Sequence, residues 1–202
     1  MKRLLTVCML IGSCYAQAQT LQPGKIEPTG QILLPNGWKL SPAGRSMPLG
    51  ELSDLPLNLQ ISRSGRLMAV TNNGQSTQSI QLLDPLGERL LDEKEIKRSW
   101  YGLAFSPDEK HLYVSGGYDN WILDFRIQGD HLGNADTIRL GKPWPKEKTC
   151  PSGMVVDKAN KRLYAVTKGD SSLFEIDTRN PCCHPESVVT RRGIRLHPAR
   201  RS

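Results

Sequence analysis

The sequence predicts an all-β fold built from repeated four-stranded antiparallel units, and three observations predict it. Three ten-residue segments align without a gap at offsets of 44 and 51 residues: ISRSGRLMAV (61–70), FSPDEKHLYV (105–114) and VDKANKRLYA (156–165). Apolar residues within each segment recur at the period-2 spacing of a half-buried strand. Helical periodicity of useful length is absent, since the only helix-like run, residues 92–98, is short and highly charged.

Each segment predicts a strand, a polar turn and a second strand. In the second segment, Phe105 opens the pattern, and Leu112 and Val114 continue it on the far side of the turn. Residues 106–108 (SPD) combine the fixed φ of proline with an aspartate that can bond its own backbone, a composition typical of tight turns. The hairpin therefore recurs three times along the chain.

A third strand follows each hairpin after a second polar break, and it ends in aspartate at Asp84, Asp124 and Asp177. A fourth strand is readable at residues 88–91 in the first unit and 137–140 in the second. Four antiparallel strands that repeat every 40 to 50 residues or so are typical of β-propeller blades. The sequence therefore predicts a β-propeller fragment with about two complete four-stranded blades plus most of a third.

The predicted organisation divides the chain into four parts. They are a signal peptide (1–18), an N-terminal lead-in that could supply a closing strand (19–54), a partial propeller (55–180) and an anomalous basic tail (181–202). The blades are expected at 55–99, 100–150 and 151–180, the last with three strands. Closed propellers have about four to eight blades, so this chain is not expected to close a ring alone.

An incomplete ring leaves one blade face and at least one sheet edge uncovered. We therefore expect a marginally stable product that is able to self-associate through its blade edges. A sharp, cooperative unfolding transition above about 60 °C, the upper end for ordinary mesophilic domains, would contradict this expectation.

The N-terminus has the order of a secretory signal peptide. Lys2 and Arg3 precede an apolar run over residues 4–12, and the small-residue sequence Ala-Gln-Ala follows at 16–18. The run is about half the ~20 apolar residues that a spanning helix needs, and no later segment is apolar enough to span a bilayer. We therefore expect export to the periplasm or the extracellular space, a mature chain that begins at Gln19, and no transmembrane span.

The net charge of the folded part argues against nucleic-acid binding. Of the 27 lysine and arginine residues, two lie in the signal peptide and five in the last 22 residues, which leaves 20 against 19 acidic residues over 19–180. A nucleic-acid-binding protein is expected to carry a basic stripe on its folded part, with aromatic residues where single strands are bound. No nucleic-acid partner is predicted.

The cysteine residues predict neither a disulfide framework nor a metal site. Only Cys150, Cys182 and Cys183 follow the signal peptide, and two of them are adjacent. Zinc and haem sites use spaced ligands such as C-x-x-C, which the run CCHPE (182–186) lacks. No metal ligand and no cofactor is predicted. A lipoprotein signal at Cys14 is an alternative to the signal peptide, although the residues before it match poorly.

The repeats resemble a known family. The motifs YVSGG, AVTNNG, FSPDEKHLYV and RLYAVTKGDSSLFEID are similar to the YVTN-type β-propeller repeats of bacterial exported proteins, as in YncE-like proteins. The segment LLPNGWKLSPAGRSMPLGELSDLPLNLQIS resembles the start of bifunctional propellers that carry an alkaline-phosphatase-like phosphoesterase domain after the last blade. The resemblance covers roughly residues 24–180. It implies a seven-bladed ring and a downstream catalytic domain with metal-binding Asp and His residues and a Ser or Thr nucleophile, none expected within residues 1–202.

The first functional interpretation is a noncatalytic binding or interaction scaffold. Its partner would be an unknown small molecule or protein at the channel entrance, where Asn58, Trp100, Tyr101 and Ser152 precede or begin the innermost strands. The alternative is that the two aromatic residues pack between blades, and that Asn58 and Ser152 satisfy turn backbone.

Two enzymatic interpretations compete with it. A lactonase or quinoprotein type of propeller would need convergent ligands on several blades, whereas the entrance positions hold Asn, Tyr or Gly, and Ser or Gly. The other is the N-terminal remnant of a propeller phosphoesterase, active only when missing blades or a missing domain complete it. No catalytic residue is assigned, and this chain alone is expected to hydrolyse neither phosphate esters nor lactones.

The repeat pattern fails in the last 22 residues, PCCHPESVVTRRGIRLHPARRS. A genuine basic tail is one explanation. A shift of reading frame is the other: without the first base of codon 181, the codons of residues 181–189 permit Pro-Ala-Val-Ile-Arg-Lys-Val-Ser. That segment is β-branched and suits the missing fourth strand. On this hypothesis the tail has no function, and the bases beyond codon 180 decide between the two.

Overall fold

The computed structural model describes residues 31–41, 43–44, 47, 49–159 and 162–178, together with the backbone of 190–193. The predicted signal peptide, Cys182 and Cys183 lie outside the described residues. The described part contains fourteen β-strands, a single 3₁₀ turn at Gly117–Asp119 and no α-helix. These strands form one two-stranded and three four-stranded antiparallel sheets, which confirms the all-β, propeller-type fold class.

The strands follow the order of the chain. A separate N-terminal unit holds the hairpin of β1 (Ile32–Leu33) and β2 (Lys39–Leu40). The first large sheet contains β3 (Pro56–Ile61), β4 (Met68–Asn73), β5 (Gln78–Asp84) and β6 (Arg89–Glu95). The second contains β7 (Leu103–Phe105), β8 (His111–Ser115), β9 (Trp121–Gln128) and β10 (His131–Arg139). The third contains β11 (Pro151–Val156), β12 (Arg162–Thr167), β13 (Ser172–Asp177) and β14 (Thr190–Gly193).

Two details differ from the sequence-based expectations. The fourth strand of the first unit is longer than the predicted 88–91, because β6 continues through the charged residues to Glu95. The third sheet has four strands where three are predicted: Thr190 pairs with Glu175, so the predicted tail supplies β14. Ladder hydrogen bonds join backbone groups, and a segment therefore can complete a sheet without the apolar alternation that reveals a strand in the sequence.

The second sheet is buried on both faces. Leu112 and Val114 on β8 pack against the first sheet, and Tyr113 between them packs against the third. All three are at most 1% exposed. Because strand β7 contacts both β3 and β11, the three sheets meet along their innermost strands, as blades do around a propeller channel.

The outer face of the first sheet is covered by residues 49–54. Gln81 donates its side-chain amide to the carbonyl of Leu49. Ser79 donates its hydroxyl to the carbonyl of Leu52 at 2.6 Å. Both side chains are fully buried, so this face is closed by hydrogen bonds from the chain itself.

The outer face of the third sheet is open by comparison. Val155 and Val166 are 60% and 41% exposed, and Tyr164, which pairs with Val155, is half-buried. Tyr164 occupies the repeat position of Tyr113, which the third sheet buries completely. Within the described part of the chain, the outer face of the third sheet is therefore apolar and uncovered, whereas the outer face of the first sheet is covered.

Candidate functional site

The four predicted entrance residues lie where the innermost strands begin. Asn58 is in β3, Trp100 and Tyr101 precede β7, and Ser152 is in β11. Asn58 donates its side-chain amide to the Tyr101 carbonyl at 2.7 Å and so joins the first two sheets. Ser152 donates its hydroxyl to the Cys150 carbonyl at 3.3 Å. The side chains of Asn58 and Ser152 thus hydrogen-bond to backbone carbonyls, while Tyr101 is 51% exposed.

The second and third sheets are joined equally closely at this end. Ser115 donates its hydroxyl to the carbonyl of Pro151 at 2.6 Å. A Cβ at Gly102 would lie only 2.3 Å from the carbonyl oxygen of Ser152. The inner strands of the three sheets are therefore closely packed at the end where the entrance loops begin.

Three aromatic rings and two lysines form a cluster beside these strands, here called the aromatic–lysine cluster: Trp100, Tyr118, Trp144, Lys148 and Lys168. The Lys168 Nζ lies 4.4 Å from the centroid of the Trp100 ring and 5.9 Å from that of Tyr118. The Lys148 Nζ lies 4.7 Å from the Trp144 ring centroid. The Tyr118 and Trp144 rings are 5.7 Å apart and tilted by 57°. The contacts therefore run from Trp100 through Lys168, Tyr118 and Trp144 to Lys148, and each lysine is set against at least one ring.

Buried polar contacts fix the loop that carries Trp144 and Lys148. Asn120 is fully buried and donates its side-chain amide to the carbonyls of Lys142 and Glu147, at 2.6 and 2.9 Å. Its side-chain oxygen accepts the N–H of Cys150 at 2.8 Å. Three bonds to one fully buried side chain hold residues 142–150 in place.

Backbone contacts bring the two lysines together. The N–H of Trp144 donates to the Tyr118 carbonyl at 3.0 Å, and the N–H of Lys168 donates to the Cys150 carbonyl at 3.0 Å. A Cβ at Gly169 would lie 1.6 Å from the Lys148 carbonyl oxygen. Only glycine lets these two segments approach so closely.

The cluster presents uncompensated positive charge to solvent. Among the described residues, neither Lys148 nor Lys168 has a carboxylate oxygen within 4.0 Å of its ammonium group. Both lysines are exposed, and Trp144 is 48% exposed. An exposed cation–π contact contributes only about 0.5–1 kcal/mol, so each ammonium remains available to an anion.

The sequence places Trp100 at the entrance but does not single out Tyr118, Trp144 or the lysines. They lie on separate segments that only the sheet packing brings together. A local signal does exist in the run KPWPKEK (142–148), where a tryptophan stands between prolines and cations. A large aromatic residue in so polar a segment indicates a role other than packing in a local core.

The described residues contain no group of three or more His, Cys, Asp or Glu side chains that could hold a metal ion. The His111 Nδ1 lies 2.8 Å from an oxygen of buried Asp124, but the nearby Ser106 hydroxyl donates to Asp108 instead of the imidazole. Burial raises the pKa of the Cys150 thiol, although Lys168 opposes the shift. A buried thiol of raised pKa is a poor nucleophile.

The His111–Asp124 pair has a consequence for stability. Burial raises the pKa of Asp124 above its ordinary value, although His111 and Arg126 oppose this and Asp136 adds to it. A carboxyl group with a raised pKa stabilises the fold below its unfolded pKa of about 3.9 and loses that contribution as the pH rises through the folded value. The stability of Asp124→Asn relative to the wild type should therefore increase as the pH rises above about 4. Urea unfolding at each pH measures the difference, and a constant difference would contradict the assignment.

No helix in the described part of the chain is long and apolar enough to cross a membrane. No protein-family model matches the chain, and no curated protein matches its sequence.

Solved structures match the fold. Hydrazine synthase from Kuenenia stuttgartiensis superposes with a TM-score of 0.52 at 20% identity, over 67% of this chain and 37% of that one. The WD40 repeats of RRP9 give 0.53 at 14% identity, over 70% and 39%. The β-propeller domain of Cps50 (Swd1) from Myceliophteria thermophila gives 0.51 at 12%, over 73% and 41%. The match spans about two fifths of each of these structures. Together with the three four-stranded sheets, these likenesses identify the fold as that of a β-propeller.

Proposed function

We propose that this protein is a noncatalytic interaction scaffold that binds an acidic segment of a partner protein at the aromatic–lysine cluster. The observation that carries the proposal is the pair of exposed, uncompensated ammonium groups on Lys148 and Lys168, each set against an aromatic ring. Tryptophan and tyrosine are enriched at protein interfaces, and acidic motifs are recognised by clustered cations. The propeller fold supports the proposal because it places the cluster on a rigid platform of packed strands.

We further propose that the protein acts outside the cytoplasm and derives from the N-terminal part of a YncE-like propeller phosphoesterase. The signal-peptide order of residues 1–18 supports export. The motifs over residues 24–180 and the propeller fold support the relationship. A mature N-terminus at Gln19 in the periplasmic fraction would support export. Further hairpin repeats encoded in the bases beyond codon 180 would support the relationship to a propeller phosphoesterase.

A labelled acidic peptide tests the interaction proposal. Fluorescence anisotropy with fluorescein-labelled hexaglutamate should show binding that weakens as salt rises from 0.05 to 0.5 M, because exposed charges are screened over a few ångströms at high ionic strength. The double variant Lys148→Gln/Lys168→Gln should bind about tenfold more weakly, as expected for loss of about 1.4 kcal/mol.

Lys110 offers a matched control, since it is an exposed lysine outside the cluster, in the turn that follows the C-terminal end of β7. Lys110→Gln should bind hexaglutamate like the wild type. Equal binding of hexalysine, or an unchanged affinity in the double variant, would rule out recognition of an acidic segment at this cluster.

A further inference from the structure

A groove of about 420 Å³ lies against the C-terminal ends of the innermost strands. Ile61 from β3, Phe105 from β7, and Met154 and Val155 from β11 contribute to its walls. The aromatic–lysine cluster lies instead by the beginnings of these strands, where Asn58 reaches the Tyr101 carbonyl. The groove is thus a separate feature at the other end of the inner strands.

The walls of the groove expose apolar surface. Ile61 is 55% exposed and Val155 is 60% exposed, and Phe105 between them is half-buried. Sites for small molecules are concave and lined mostly by apolar side chains, with a few polar groups that fix the orientation of the ligand. The volume falls within the roughly 300–1,000 Å³ range of small-molecule sites.

The charges of the groove have one sign. Arg63 and Lys158 line it, and no acidic residue does. Among the described residues, neither cation has a carboxylate oxygen within 4.0 Å. Both side chains are exposed and follow an inner strand directly.

The nearest acidic residues in sequence accept hydrogen bonds within and between the adjoining turns. Asp157 accepts the N–H of Arg162. Asp108 accepts the Ser106 hydroxyl at 2.6 Å, and Glu109 accepts the Ser64 hydroxyl at 2.8 Å. These carboxylates keep their charge, but among the described residues none forms an ion pair with Arg63 or Lys158, so both cations can reach a ligand in the groove.

We infer that this groove binds a small amphipathic anion. The apolar body of the ligand lies against Ile61, Phe105 and Val155, and its carboxylate pairs with Arg63 and Lys158. Charge-assisted hydrogen bonds from the guanidinium and ammonium groups fix the orientation of the ligand. The apolar walls supply contact area and select against fully polar anions. The inference is independent of the interaction proposed for the aromatic–lysine cluster.

Three ligands of equal chain length separate the contributions of charge and apolar contact. Isothermal titration of the full chain uses decanoate and decyltrimethylammonium below their micellar concentrations and decanol below its solubility limit. Binding should be strongest for decanoate, weaker for decanol and weakest for decyltrimethylammonium. Acetate should not bind, because it has the charge without the apolar body. Equal affinity for the cationic and anionic chains, or no binding of decanoate, would overturn the inference.

Variants then locate the site. Arg63→Gln/Lys158→Gln should weaken decanoate binding about tenfold, to the level of decanol, and leave decanol binding unchanged. Val155→Asp should weaken both ligands, because it places a carboxylate in the apolar wall. Lys146→Gln serves as the control, because Lys146 is an exposed lysine in the 142–148 loop that does not line the groove, and it should bind decanoate like the wild type. Unchanged decanoate affinity in the double variant would show that the groove is not the site. Hexaglutamate should bind the Arg63→Gln/Lys158→Gln variant as it binds the wild type, which separates this test from that of the aromatic–lysine cluster.

Discussion

Replacing Leu112 by alanine is expected to lower the free energy of unfolding by about 2–5 kcal/mol. Leu112 is completely buried in the core between the first and second sheets, where it packs with residues such as Leu82 and Phe125. The substitution removes apolar contacts and leaves a cavity that rigid sheets on both sides cannot fill by collapse. Since small domains are stable by about 5–15 kcal/mol, this loss is a large share of the total.

Leu86 provides the matched control, because it is a leucine that is 82% exposed in the turn between β5 and β6. Leu86→Ala should change the free energy of unfolding by no more than about 0.5 kcal/mol. Urea unfolding followed by far-UV circular dichroism measures both variants. Similar small losses in the two would mean that the core between the first two sheets is not packed as the structure shows.

The hairpin repeats are predictable from the sequence because each carries its own period-2 pattern. The ten-residue alignment locates strands β4, β8 and β12, and its alternation separates Leu112 from Tyr113 on opposite faces of the second sheet. Such a signal is local, since every other side chain in a strand must meet the same neighbouring sheet. The fold class follows from these repeats alone.

The outermost strands are less predictable. Strand β6 extends to Glu95 through a charged run, because an edge strand faces solvent along one side and tolerates charges there. Strand β14 lies in a segment with no repeat pattern. The cover over the first sheet is likewise hidden, because it depends on hydrogen bonds from Ser79 and Gln81 to a preceding loop. None of these features requires apolar periodicity.

The candidate sites are predictable only in part. The start of each inner strand can be read from the repeats, which places Trp100 at the entrance. Its partner Lys168 follows the end of β12 in the third sheet, and Trp144 lies in the loop held by Asn120. Contacts between segments so distant in sequence depend on the packing of whole sheets, which a local pattern does not encode.

Replacing Gly102 by alanine is expected to cost about 3 kcal/mol, the upper end of the usual range for overpacking. The added Cβ would lie 2.3 Å from the Ser152 carbonyl oxygen, and 3.0 Å from both the Met154 Cε and the Ser115 Cβ. The shortest contact is with backbone, so strands β7 and β11 must separate to relieve it. Gly44→Ala is the control, because a Cβ there would meet nothing within 4 Å, and it should leave thermal unfolding unchanged.

A double-mutant cycle distinguishes a backbone clash at Gly102 from a side-chain clash. If the Ser152 carbonyl causes the loss, Met154→Ala should leave the cost of Gly102→Ala unchanged within about 0.5 kcal/mol, the limit expected for independent effects. If the Met154 side chain causes it, the truncation should recover most of the stability. The first result is expected, because a methionine side chain can rotate away, whereas the carbonyl can move only with its strand. Recovery in the double variant would show that the inner strands of the second and third sheets are farther apart than the structure places them.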